Sequence, residues 1–124
     1  MFFVKEVTVP PNTSKDNPLL FTIQVSAGTV RHVWVRWRWG SANLCGVQIY
    51  HASILRWPYS KGEWLMSSQY PLDFDEEFLI PTVPYFFEGK TFNLDSDYSH
   101  TVWLGFVILR EADYGIVQPI TSIW

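Results

Sequence analysis

TVRHVWVRWRW, residues 29–39, decides how this chain folds. At period two, Val33, Val35, Trp37 and Trp39 share one side, and His32, Trp34, Arg36 and Arg38 share the other. Alternation of this kind, carried by Val and Trp, is the mark of a β-strand with two unlike faces. One face can supply the heart of a core. The other sets two guanidinium groups beside an indole and must meet water, carboxylates or a partner.

Working outward, the same period recurs on both sides of this strand. Residues 2–9 alternate and stop at Pro10-Pro11, since proline has no ladder donor. The polar stretch NTSKDNP, residues 12–18, is a loop, and residues 19–25 place Leu19, Phe21, Ile23 and Val25 on one side. After the turn GSAN at residues 40–43, a strand is expected over residues 44–55, with a break near His51-Ala52. Trp57 to Gly62 reads as a loop, residues 63–67 as a short strand, and residues 73–80 as an alternating strand. Pro81 and Pro84 mark an irregular crossing before a strand within residues 85–94. HTVWLGFVILR, residues 100–110, is apolar on both sides, as a strand covered on each face would be.

No segment keeps a capped 3.6-residue period, so no long helix is expected. Seven to nine strands joined by Pro, Gly, Asn and Asp turns define an all-β chain. The expected architecture is a single-domain antiparallel β-sandwich of jelly-roll type over residues 1–110. Residues 111–124 (EADYGIVQPITSIW) form a C-terminal apolar extension. Its Tyr114, Ile116, Val117, Ile120, Ile123 and Trp124 would be costly to leave in water, so it docks on its own domain or lies as an arm on a neighbouring subunit.

Composition sets further bounds. A chain of 124 residues suits one core, and with 48% apolar and 18% aromatic residues that core needs no disulfide. The single Cys45, in the alternating run Cys45, Val47, Ile49, reads as a small buried hydrophobe. A net charge of −3 lacks the basic footprint of general nucleic-acid binding. The start MFFVKEVTV does not have the form of a signal peptide, and no apolar run approaches the ~20 residues of a spanning helix.

There is no G-x-S-x-G elbow, and Ser99 and His100 would point to opposite faces of a strand. The three histidines stand on three segments without zinc spacing. Asp73, Asp75, Glu76 and Glu77, with Asp95 and Asp97, are the residues to consider for calcium, but they fit no loop signature and read rather as a solvated or partner-facing acidic surface. No catalytic residue, metal or cofactor is expected. The aromatics allow two readings: Trp34, Trp57, Tyr59 and Trp64 as a platform for sugar rings, or as filling for core and interfaces. Trp34, Arg36 and Arg38 suit an interface that meets carboxylates.

Two stretches resemble the small β-sandwich virion proteins of tailed bacteriophages. The first is VTVPPNTSKDNPLLFTIQVSAG, residues 7–28: a strand, a P-x-N-T loop, a second strand and a Gly turn. The second is NLDSDYSHTVWLGF, residues 93–106, where an Asn, acidic residues and a His-Thr pair open the last strand. Between them, PYSKGEW (residues 58–64) stands where that group often has a P-W-N-like loop. The resemblance covers most of residues 3–110; the Trp/Arg-rich central strand and the apolar tail depart from it.

The resemblance implies a non-enzymatic structural role in a virus particle and carries over no functional residue. The expectation is therefore a virion protein made in the host cytoplasm, and in particular a capsid decoration (cement) protein. Its partners would be copies of itself, as a homo-oligomer, and the major capsid protein, with no nucleic acid and no membrane. A reading from a different class is a carbohydrate-binding β-sandwich module at a tail tip or cell surface, using the platform Trp34, Trp57, Tyr59 and Trp64.

Overall fold

A computed structural model describes residues 1–80 and 83–110 of the chain. Pro81, Thr82 and the whole extension 111–124, with its interface candidates Tyr114, Ile116, Val117, Ile120, Ile123 and Trp124, lie outside the described residues. Among the described residues nine strands follow in order: β1 (Phe2–Val9), β2 (Leu19–Gln24), β3 (Gly28–Trp37), β4 (Cys45–His51), β5 (Ile54–Trp57), β6 (Leu65–Met66), β7 (Leu72–Ile80), β8 (Phe86–Asn93) and β9 (His100–Leu109). The described residues contain no helix, and so none long and apolar enough to cross a membrane.

The strands form two antiparallel sheets, ordered β1-β9-β3-β7 and β2-β8-β4-β5, with β6 beside β5 on the same edge of β4. First strand pairs with last, second with second-to-last, third with β7, and β4 with β5 and β6. Such nesting is what a long hairpin gives when it rolls up on itself, and it defines a jelly roll. Fold class and topology thus agree with the pattern read from the sequence.

The core lies between the sheets and is built from alternate residues of each strand. Val33, Val35, Val102, Leu104, Phe106 and Ile108 come from one sheet, and Ile23, Val47, Ile49 and Phe87 from the other. At its centre Phe87 meets Trp57 at 5.3 Å and 90° and Phe106 at 5.0 Å and 44°, tilted and edge-on geometries that suit ring quadrupoles. Cys45 is fully buried, and burial pushes its thiol up to about 12, which makes it the inert hydrophobe expected.

Three expectations are corrected. First, the central strand is not a uniform alternation. A β-bulge at Arg31 shifts the register between Val30 and His32, so Val30 and Val33 both face the core. The strand then ends at Trp37, and Trp39, expected on the core side, is 85% exposed. Second, Trp57 is not a loop residue. It closes β5 and is 3% exposed in the core, because a second bulge, between Ile49 and Tyr50 of β4 and their partners on β5, turns it inward. Third, among the described residues β9 has no second layer over its outer side; Trp103 and Val107 there are half-buried, among side chains of β1 and β3.

One polar junction ties the sheets together. Asn93, fully buried at the end of β8, donates through Nδ2 to the carbonyls of Val9 (3.1 Å) and Tyr98 (2.9 Å). Its Oδ1 accepts from the Asp95 amide at 3.0 Å. Asp95 in turn accepts from the Asp97 amide at 2.9 Å and lies 2.9 Å from His100 Nε2. The Asp97 amide, then the His100 imidazole, hold the Asp95 carboxyl below the usual carboxylate range. The run NLDSDYSH is accordingly a structural staple for the β8–β9 loop.

Candidate functional site

The outer face of the β1-β9-β3-β7 sheet carries most of the described candidates. Residues paired across antiparallel strands share a face, so the register gives its layout. One row runs Glu6, Trp103, Arg36; the next Val4, Gly105, Trp34, Asp73; the third Phe2, Val107, His32, Asp75. Arg38, just past the end of β3, stands in the adjoining row opposite Thr101 and Thr8, its amide donating to the Thr101 carbonyl at 3.0 Å.

Local packing fixes the aromatic part. Gly105 has no side chain, and the Trp34 indole lies over its backbone: a Cβ there would meet indole carbon at 2.1 Å. Phe2 stacks on Trp34, with ring centroids 6.1 Å apart. Arg36 and Arg38 both sit over the Trp103 ring, at 5.6 and 5.9 Å from its centroid. Both arginines are exposed, so their N–H forks remain on the surface. Phe2 (57% exposed) and Val4 (51% exposed) complete an apolar patch rimmed by charge.

On the β7 side the patch ends in a charged cluster. The His32 ring is flanked by two carboxylates, Asp73 at Nε2 and Asp75 at Nδ1 (2.8 Å). The bond to Asp75 and the charge of Asp73 together raise the imidazole pKa above its ordinary value, against a lesser opposing effect of burial. Arg31, expelled by the bulge, reaches Glu77 at 3.8 Å.

The structure therefore brings Trp34, Arg36 and Arg38 together, as expected of an interface. It adds Phe2, Val4 and Trp103, which sequence reasoning left out. The sugar platform is not assembled. Trp34 is on this face, Trp57 is in the core, and Trp64 lies on the opposite sheet, edge-on to Phe92 at 4.8 Å. Tyr59 is exposed alone in the loop after β5.

His51, His100 and Glu76 have separate structural duties. His51 Nε2 lies 2.9 Å from the Pro84 carbonyl, its ring edge-on to Phe78 and Phe87. His100 belongs to the β8–β9 staple. Glu76 accepts from Trp57 Nε1 at 2.9 Å. The acids considered for calcium are thus divided between β7 and the β8–β9 loop, and among the described residues no three His, Cys, Asp or Glu converge as metal ligands.

With class and site in place, the chain is an all-β jelly-roll sandwich bearing an aromatic and arginine-rich sheet face. Comparison with protein-family models and with curated proteins finds no match. Among solved structures, the chain is similar to "The Structure of Tomato Aspermy Virus by X-Ray Crystallography". The two share 13% identity with a TM-score of 0.41, over 90% of this chain and 80% of that one. A likeness this slight bears on neither activity nor partners.

Proposed function

We propose that this chain is a non-enzymatic structural protein of a virus particle, and specifically a decoration protein that binds the assembled capsid of a tailed bacteriophage. The observation that carries the reading is the outer face of the β1-β9-β3-β7 sheet, where Trp34, Trp103 and Phe2 lie beside Arg36 and Arg38. Aromatic anchors with arginines stacked on them are the composition of energetic centres in protein interfaces. The arginine forks would take carboxylates of the coat protein, while the patch around Phe2 and Val4 would be covered by apolar coat residues. Jelly-roll architecture and the likeness of residues 7–28 and 93–106 to phage virion proteins support the setting. A domain that binds only the assembled shell stabilises it by mass action. The arm at residues 111–124 would add contacts between neighbouring copies.

Quantitative mass spectrometry of purified particles tests this, counting the chain against the major coat protein. A ratio near one, or a simple fraction of it, is expected. A few copies per particle, or none, would overturn the decoration reading. In reconstitution on stripped particles, the double variant Trp34→Ser/Arg36→Glu should lose attachment while keeping its β-sheet circular dichroism.

A further inference from the structure

The opposite sheet holds a second feature, which stands apart from any attachment to a shell. The outer face of β2-β8-β4 forms an open depression with a volume of about 570 Å³, bounded by Leu20, Thr22, Tyr50, Ser53, Glu88 and Lys90. That is within the ~300–1,000 Å³ of small-ligand sites. We infer that this depression binds a neutral saccharide, one or two rings in size.

Its wall is preset. The Tyr50 hydroxyl donates to Gln48 Oε1 at 2.8 Å, and Gln48 Nε2 donates to the Glu63 carbonyl at 2.7 Å, so the phenol ring cannot swing. Lys90 Nζ lies 4.9 Å from the ring centroid. The Tyr50 ring, capped on one face by the Lys90 ammonium, and the exposed Leu20 supply apolar surface for the C–H side of a pyranose. Hydrogen-bonding capacity surrounds them and is unspent: the side-chain oxygens of Thr22, Ser53 and Glu88 have no partner among the described residues. Hydroxyls that both donate and accept, one carboxylate and one ammonium match a ring of vicinal hydroxyls. One Glu against one Lys leaves no net charge, which disfavours a phosphate or a polyanion and favours an uncharged polyol.

The hairpin at the rim adds an independent observation. Between His51 and Ile54, both turn residues hold positive φ, Ala52 at 50° and Ser53 at 68°. This is the backbone of a type I′ hairpin, which ordinarily takes Asn-Gly. Ala and Ser are poor choices for it, so the turn costs stability that Gly at the second position would not. Ser53 is the turn residue that lines the depression. A strained turn that brings Ser53 to the lip fits a binding role better than a purely structural one.

The test is a titration of the isotope-labelled full chain, followed by amide NMR. The probes are neutral oligosaccharides ending in glucose, galactose or N-acetylhexosamine, each taken to about 10 mM, the range of weak single-site binding. Saturable shifts confined to Thr22, Tyr50, Ser53, Gly89 and their neighbours are expected with at least one probe. Tyr50→Ala should then weaken that probe by about five- to tenfold, the worth of one aromatic contact. Glu88→Gln, which leaves the fold untouched, should weaken it as well. Trp34→Ser, on the other sheet, should bind normally. Absence of saturable shifts across the panel, or shifts on the β1-β9-β3-β7 face instead, would overturn the inference. Neither result touches the decoration reading, which is measured on particles.

Discussion

The two sheets turn opposite kinds of surface to solvent. On β1-β9-β3-β7, Trp34 lies flat on Gly105 and two arginines lie on Trp103, a layer of rings and guanidinium groups over the backbone. On β2-β8-β4, short or polar side chains (Thr22, Glu88, Gln48) flank Tyr50, leaving a hollow. Both sheets contain a glycine that makes room for a ring, but on different sides. Gly105 receives Trp34 on the solvent side, whereas Gly89 receives Phe21, which packs against the core. One fold can thus present a broad contact surface on one side and a small-ligand depression on the other, because each sheet needs only its inner face for stability.

The largest effect should come from breaking the junction that joins the two sheets. Asn93→Ala strips partners from the Val9 carbonyl in a buried setting and from the Tyr98 carbonyl and the Asp95 amide in partly buried ones. Each orphaned group costs ~1–3 kcal/mol before water enters, so we expect a loss of about 3 kcal/mol in urea unfolding. Asn93→Asp should not rescue it, since Oδ2 cannot donate to those carbonyls.

The glycine pair sharpens the contrast between the faces. At Gly89 a Cβ would meet the Phe21 ring at 2.1 Å on the side packed against the core, and overpacking there should cost about 2–3 kcal/mol. At Gly105 the same distance separates the new Cβ from Trp34, but the indole can swing into solvent, so Gly105→Ala should cost only about 1 kcal/mol. It should also red-shift tryptophan emission and weaken attachment to particles. Equal costs at the two positions would mean that Trp34 is packed as firmly as a core residue.

How far the sequence foretold this structure can be judged from particular residues. Period-two alternation was enough to locate the strands and nearly all inward positions, because burying one face of a strand enforces that period. It failed where a single residue is inserted. Arg31 and Arg56 occupy bulges, and a bulge is decided by the partner strands, whose register no local pattern reveals. Trp57 was misplaced because Trp-Pro reads as a turn; in the fold, Pro58 stands just past the strand and leaves Trp57 free to enter the core. Trp34, Arg36 and Arg38 were legible as one outward stripe. Trp103, which holds both arginines, was not, since its place beside them comes only from the β3–β9 pairing. The depression around Tyr50 was invisible for the same reason: it draws on three strands and a turn.

The smallest expected effect concerns the edge of the arginine-bearing sheet. His32 on β3 lies between Asp73 and Asp75 of β7; among the described residues the Arg31–Glu77 pair is the neighbouring charged pair on the same two strands, and Phe2 and Val107 complete its row. The folded pKa of His32 is raised above the ordinary 6.5, so the protonated ring and its two carboxylates favour the docked edge strand. A raised pKa means that the contribution is fully present below about pH 6.5 and is lost as pH climbs through the folded-state value. The side chain is 32% exposed and its partners 60% and 95%, so solvent screening keeps the gain under about 1 kcal/mol. Amide exchange, corrected for its intrinsic pH dependence, should show protection of β7 falling above that window while β1, on the far edge of the same sheet, stays unchanged. His32→Gln should flatten the β7 profile. A β7 profile that still declines in the variant would assign the pH response to another group, and the contrast between the two edges would no longer rest on His32.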